Sequence, residues 1–294
     1  MRKVALDFPK SILIETCNNC QGKCFFCPYD EIRRKEKTIF LDFKVITRLV
    51  DEIANHKFER LTLFNNNEPL LDNRIYDIIA YAHQKMPDIE ITLSTNGRLL
   101  SQECLKKLKT SGLSTLYISI PSLKEEEYRE MMSYDLSKIV KIIDGICNPE
   151  IIKMIRIAIP RTKYYDNDEF VSFFKLRNID LCSWDVEYKE DWNIANKIKN
   201  IVDFSNYSGP CDRPMDQAVI LADGDMVICC RDWNKDNIIG NVKDKTIYEI
   251  WKNQKMIDIQ ENIASFSYDK IAACKNCSLN YTCYKRLENK YEIH

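Results

Sequence analysis

The sequence is short of glycine: seven in 294 residues, against about twenty at average usage. It carries no long low-complexity linker and no repeat of solenoid period, so a fibrous, tethered or repeat architecture is excluded. Histidine is scarcer, with three residues (His56, His83 and His294) too scattered to form a ligand constellation. No run reaches the 18 or more apolar residues of a membrane span. Met1–Pro9 mixes apolar residues with Arg2, Lys3 and Asp7, unlike a secretory signal. Neither sign of charge is in excess. The formal net charge of −1 removes any global electrostatic case for nucleic acid, and mixed runs such as Lys124–Glu130 read as solvated helix faces. These absences predict a chain that engages neither membrane nor nucleic acid.

Cysteine is what the sequence has in quantity. Of thirteen, Cys17, Cys20, Cys24 and Cys27 are packed together, and Cys211, Cys229, Cys230, Cys274, Cys277 and Cys283 lie in the last third. An odd number of clustered thiols in a chain this long does not suit a disulfide-stapled secreted scaffold. The expectation is a reduced, cytoplasmic protein whose cysteines hold metal.

Six short apolar runs alternate with amphipathic segments. Ile12–Glu15, Leu61–Phe64, Ile89–Ser94, Thr115–Ile120, Ile152–Ile159 and Leu181–Glu187 read as strands. Asp42–His56, Asn73–Met86, Ser101–Thr110, Leu136–Ile146 and Asp168–Arg177 carry the helical period. Asp42 and Ser101 suit N-caps, and Gly112 falls just past a helix end. This alternation predicts an α/β fold: a parallel sheet curled into an open or closed barrel, with ligands at the carboxyl ends of its strands. After about residue 205 the pattern changes to a hairpin around Asp223-Gly224, a helix near Thr246–Asn253 and Cys-rich loops. The expected division is 1–205 and 206–294. The second unit is small enough to depend on metal.

Cys20, Cys24 and Cys27 follow the first strand in C-x3-C-x2-C spacing. Three thiolates on a four-iron cluster leave one iron open to a ligand. Cys17 and Cys20 also offer a C-x2-C register, compatible with zinc or a disulfide. Cys211, Cys229, Cys274 and Cys277 supply four thiolates that suit tetrahedral zinc as well as a second four-iron cluster.

The first motif, with Glu15 ahead of it, Phe26 before its last cysteine and Pro28 after it, resembles the signature of the radical S-adenosylmethionine (SAM) superfamily. The second set resembles that superfamily's SPASM or shortened twitch region, through Leu221–Asp232, Ile239-Gly240-Asn241-Val242 and Ile247–Trp251. Cys283 continues the longer pattern, but Leu287 stands where its next cysteine belongs. The resemblance therefore implies a partial (β/α)6 barrel, a small C-terminal iron–sulfur domain, SAM and two [4Fe-4S] clusters. It places SAM near Phe26, near Asn66, Asn67 and Glu68 (the family's Gly-Gly-Glu-Pro turn), and near Ser94 and Asn96. Ser119, Ser122 and Arg156 are further candidates for the cofactor's carboxylate or ribose. A serine at a strand end equally caps a turn, and Arg156 equally forms an ion pair. Asn66 and Asn67 replace two glycines, and asparagine tolerates a positive φ better than most residues.

The cysteine spacing, Gly-Asn segment and Ile-Trp helix are most similar to a branch of the family that oxidises aminocyclitols. This implies a small polar substrate (sugar, aminocyclitol or glycoside), oxidised at a secondary alcohol, and an electron donor such as flavodoxin or ferredoxin. Oxidation needs a base. The branch's Asn-Arg pair is missing, since Trp192-Asn193-Ile194 holds no arginine, which leaves Glu187 or Asp191. Epimerisation is the alternative, with Cys182 or Cys230 as hydrogen donor. Peptide maturation is a third reading, and a non-enzymatic electron carrier a fourth.

Overall fold

The computed structural model describes residues 6–32, 36–161, 166–185, 211–275 and 277. Six strands, β1 (Ser11–Ile14), β2 (Arg60–Thr62), β3 (Glu90–Thr95), β4 (Thr115–Ser119), β5 (Ile155–Arg161) and β6 (Asp180–Asp185), lie side by side in chain order. Every neighbouring pair is parallel. Parallel neighbours need a crossover, here supplied by amphipathic helices. In Phe43–Ile53, Ile46, Leu49, Val50 and Ile53 form the buried stripe, and the Asp42 carboxylate accepts from Lys44 N at 2.7 Å. Ser101 caps Gln102–Thr110 in the same way. Gly112 closes that helix at φ +93°, where a Cβ would lie 2.3 Å from the His83 ring.

One element differs from the sequence reading. Ile152–Ile159, expected as a single strand, is divided into the helix Pro149–Met154 and β5. Asn148 accepts from Glu150 N at 2.9 Å and Pro149 occupies the first turn. This start signal outweighs the β-branched content of the following residues.

The C-terminal strands join the same sheet. β7 (Gln217–Ile220) runs parallel to β1, pairing Ser11 with Gln217 and Ile14 with Ile220. β8 (Asp225–Val227) and β9 (Ile238–Asn241) continue antiparallel, giving nine strands in the order β6-β5-β4-β3-β2-β1-β7-β8-β9. β6 and β9 are the edges, so the described strands form an open barrel wall that extends into the Cys-rich unit. The hairpin expected at Asp223-Gly224 is present. A capping box between Thr246 and Glu249 opens Ile247–Trp251, whose first amide groups also donate to the Glu52 carboxylate. One apolar core runs from Ile12 and Leu61 through Phe174 to Trp251 and Ile271. The division expected near residue 205 falls outside the described residues. Among these, no helix is long and apolar enough to cross a membrane.

Candidate active site

Side-chain direction and strand length bring one loop after another to a single cavity of about 610 Å3. The loop after β1 contributes Cys20, Cys24, Phe26 and Cys27; the loop after β2 contributes Asn65 to Glu68. Ser94, Thr95 and Asn96 come from the end of β3, Ser119 from β4, Ala158 from β5 and Cys182 from β6. Arg213 and Trp233 close it from the C-terminal unit. Its volume lies within the range of small-molecule sites.

The first three thiols sit in a cradle built for sulfur. Gly22 N donates to Cys20 Sγ at 3.4 Å, and Asn96 Nδ2 approaches the same sulfur at 3.8 Å. A Cβ on Gly22 would lie 3.3 Å from Cys20 Sγ and 3.5 Å from Cys24 Sγ, so the absent side chain keeps the thiols open. Tyr29 Oη accepts from Cys20 N at 3.0 Å and donates to Asn18 O at 2.8 Å, pinning the loop. Burial, then the neighbouring Cys27 and Cys20, push the Cys24 thiol well above its ordinary range. The Cys24 sulfur therefore needs a positive partner to ionise. Among the described residues no three His, Cys, Asp or Glu side chains converge on one metal ion.

Glu68 is fully enclosed. Its carboxylate accepts from Thr95 Oγ1 and Asn96 N, both at 2.8 Å, and from Leu70 N at 3.2 Å. Burial pushes it up to about 7 against those hydrogen bonds. Asn66 and Asn67 line the cavity, but neither takes a positive φ. The turn needs no glycine geometry, and each side chain is held by a neighbouring loop. Asn67 Nδ2 donates to Cys17 Sγ at 3.6 Å, and Asn66 Nδ2 to Cys230 O at 3.4 Å. Buried Glu15 spans the same junction, accepting from Asn66 N and Ala222 N, each at 3.3 Å.

Two candidates lie elsewhere. Arg156 is turned away: Nη1 donates to Lys153 O and Ile155 O, and Nη2 pairs with Asp180 at 3.1 Å. Ser122 is a turn cap, donating to Glu127 at 2.7 Å and accepting from Lys124 N at 3.1 Å. Neither lines the cavity; for both, the nearest partner in the chain satisfies the side chain locally. Glu187, Asp191 and Cys283 lie outside the described residues.

In the second set, Cys229 Sγ accepts from Arg231 N at 3.4 Å, repeating the spacing of Gly22 on Cys20. Cys229 and Cys230 hydrogen-bond each other, which holds Cys229 up. Cys211 N donates to Tyr268 Oη at 3.1 Å, and Cys277 N to Cys274 O at 3.0 Å. Both thiol sets thus offer sulfur donors with backbone N–H support, which fits iron–sulfur ligation. Arg213 and Trp233 were not among the residues expected from sequence. The available signal was a cation two residues after Cys211.

An open parallel barrel wall with three thiols after its first strand defines the class: α/β enzymes that hold an iron–sulfur centre at the strand ends. The chain belongs to the radical SAM superfamily, whose family description matches residues 14–163. A second family, described as an iron–sulfur cluster-binding domain, SPASM, matches residues 211–278. The S-adenosyl-L-methionine-dependent 2-deoxy-scyllo-inosamine dehydrogenase of Niallia circulans is 21% identical over 268 residues, covering 91% of this chain and 92% of that protein. Among solved structures, BtrN in complex with AdoMet and 2-DOIA superposes with a TM-score of 0.66 at 21% identity, covering 94% of each chain. Streptococcus suis SuiB bound to the precursor peptide SuiA superposes with a TM-score of 0.70 at 18% identity, over 94% of this chain and 71% of that one. At these identities the likeness of the solved structures is one of fold.

Proposed function

We propose that this radical SAM enzyme oxidises a secondary alcohol of a small polar metabolite (a sugar, aminocyclitol or glycoside). Two [4Fe-4S] clusters serve it, one held by Cys20, Cys24 and Cys27, the other by Cys211, Cys229, Cys274 and Cys277. The observation that carries this reading is the shared cavity. Its wall includes the first three thiols on one side and, on the other, Arg213 and Trp233 from the unit that bears the second set. SAM, bound with an iron–sulfur centre, supplies hydrogen-atom abstraction, and an auxiliary centre supplies an electron sink.

The chain's own residues do the remaining work. The Asn65–Glu68 turn, Ser94, Asn96 and Ser119 position the cofactor, while Trp233 limits water entry. The alcohol proton goes to a base, for which Glu187 and Asp191 are the proposed groups. A flavodoxin or ferredoxin supplies the reducing electron. The end-to-end coverage of the dehydrogenase relative supports a small-molecule substrate.

Cys182 favours a second reading, epimerisation, because its exposed thiol lines the cavity and can return hydrogen to a substrate carbon. Replacing Cys182 with alanine separates the two. Oxidation predicts product formation within about threefold of wild type, since no thiol hydrogen is used. Loss of product with 5′-deoxyadenosine release retained would assign the thiol a catalytic part and favour epimerisation.

A further inference from the structure

Arg213 is a buried cation that lines the shared cavity and lies against the thiols of the second set. It opens the four-residue helix Arg213–Asp216, two residues after Cys211, and its side chain forms part of the cavity wall. The guanidinium hydrogen-bonds the Cys229 thiol, with the sulfurs of Cys230 and Cys211 close enough to act on its charge. Nη1 is fully enclosed and has no hydrogen-bond partner. No carboxylate of the described residues pairs with it.

Burying a cation beside thiols, without a carboxylate and with an N–H unspent, is unfavourable unless those sulfurs carry negative charge. A thiolate-bound cluster supplies that charge and accepts N–H donors at its sulfurs. We propose that Arg213 is a positioning residue for the auxiliary cluster. It is the counter-cation that holds the Cys211/Cys229 side of the site and raises the cluster's reduction potential, at the wall where substrate lies. The direction follows from Coulomb's law: a fixed positive charge favours the more negative, reduced state. A raised potential suits a centre that must take one electron as the substrate radical loses its hydroxyl proton and becomes a ketone. The role in turnover rests on the proposed alcohol oxidation; the effect on potential does not.

The test is an EPR-monitored redox titration of the auxiliary cluster in full-length, iron-reconstituted protein. Cys20, Cys24 and Cys27 are replaced by alanine so that a single cluster is read, and no substrate is added. Arg213→Gln is expected to lower the reduced-to-oxidised ratio at a fixed poise by about tenfold, which is about 59 mV for a one-electron couple. Arg213→Lys, which keeps the charge, is expected to recover most of that shift. Equal potentials in all three proteins, with iron retained, would overturn the proposal. If Arg213→Gln cannot hold iron, recovery of iron by Arg213→Lys supports the counter-cation; equal loss in both variants assigns Arg213 to packing alone and overturns it. A shift seen in a protein that oxidises no alcohol leaves the electrostatic role standing and sinks only the reading of the reaction.

Discussion

At the scale of single residues, spacing in the sequence carried most of the chemistry. Cys20, Cys24 and Cys27 could be read as a set because three ligands on one loop must be close in sequence. Arg213 and Trp233 could not, because what makes them cavity walls is β7 lying against β1, a pairing of distant segments. Arg156 and Ser122 mark the opposite case, where residue type and strand placement suited a ligand but a nearer partner took the side chain. Glu68 gives a pH prediction. Its folded-state value, pushed up to about 7 by burial, exceeds the unfolded value of 4.5. Its contribution is therefore fully present below about pH 4.5 and is lost as pH rises through about 7, a change of about 3 kcal/mol. Urea unfolding of wild type and Glu68→Gln at about pH 5 and about pH 8 checks it. The variant should show a smaller difference between the two conditions; an unchanged difference would place the slope elsewhere. Gly22→Ala sets a Cβ 3.3 Å from Cys20 Sγ and Asn96 Nδ2. It should lower iron at the first site while changing stability by less than about 1 kcal/mol, measured by iron analysis beside urea unfolding.

At the scale of elements, hydrophobic period located the six barrel strands to within a few residues. It failed where a cap signal competed, at Asn148-Pro149, and it held no information on which strand β7 would join. That joint is where Glu15 works. One oxygen accepts from Asn66 N in the turn after β2, the other from Ala222 N in the turn after β7. Glu15→Ala leaves both amide groups short of an acceptor in a buried place, a cost of about 1–3 kcal/mol each. Equilibrium unfolding should report that loss together with weaker SAM binding. Full stability in Glu15→Ala would mean that the junction is held by other contacts.

At the scale of the whole molecule, the nine-stranded sheet makes the Cys-rich unit an extension of the barrel wall, so the first thiol set and Arg213 and Trp233 of the unit that bears the second set face one cavity. The radical SAM and SPASM matches account for these two sets in turn. The two-cluster reading predicts about eight irons per reconstituted chain, with Cys274→Ala and Cys24→Ala each losing about four. Retention of all iron by Cys274→Ala would contradict the ligand assignment. Oxidation across that cavity is tested most directly by the mass of the product made anaerobically, with SAM in D2O, from an aminocyclitol or sugar that the protein turns over. Oxidation yields a ketone two hydrogens lighter than the substrate, with solvent deuterium confined to carbons that enolise and with one 5′-deoxyadenosine per product. An isomer of unchanged oxidation state carrying one deuterium at an inverted carbon would contradict it.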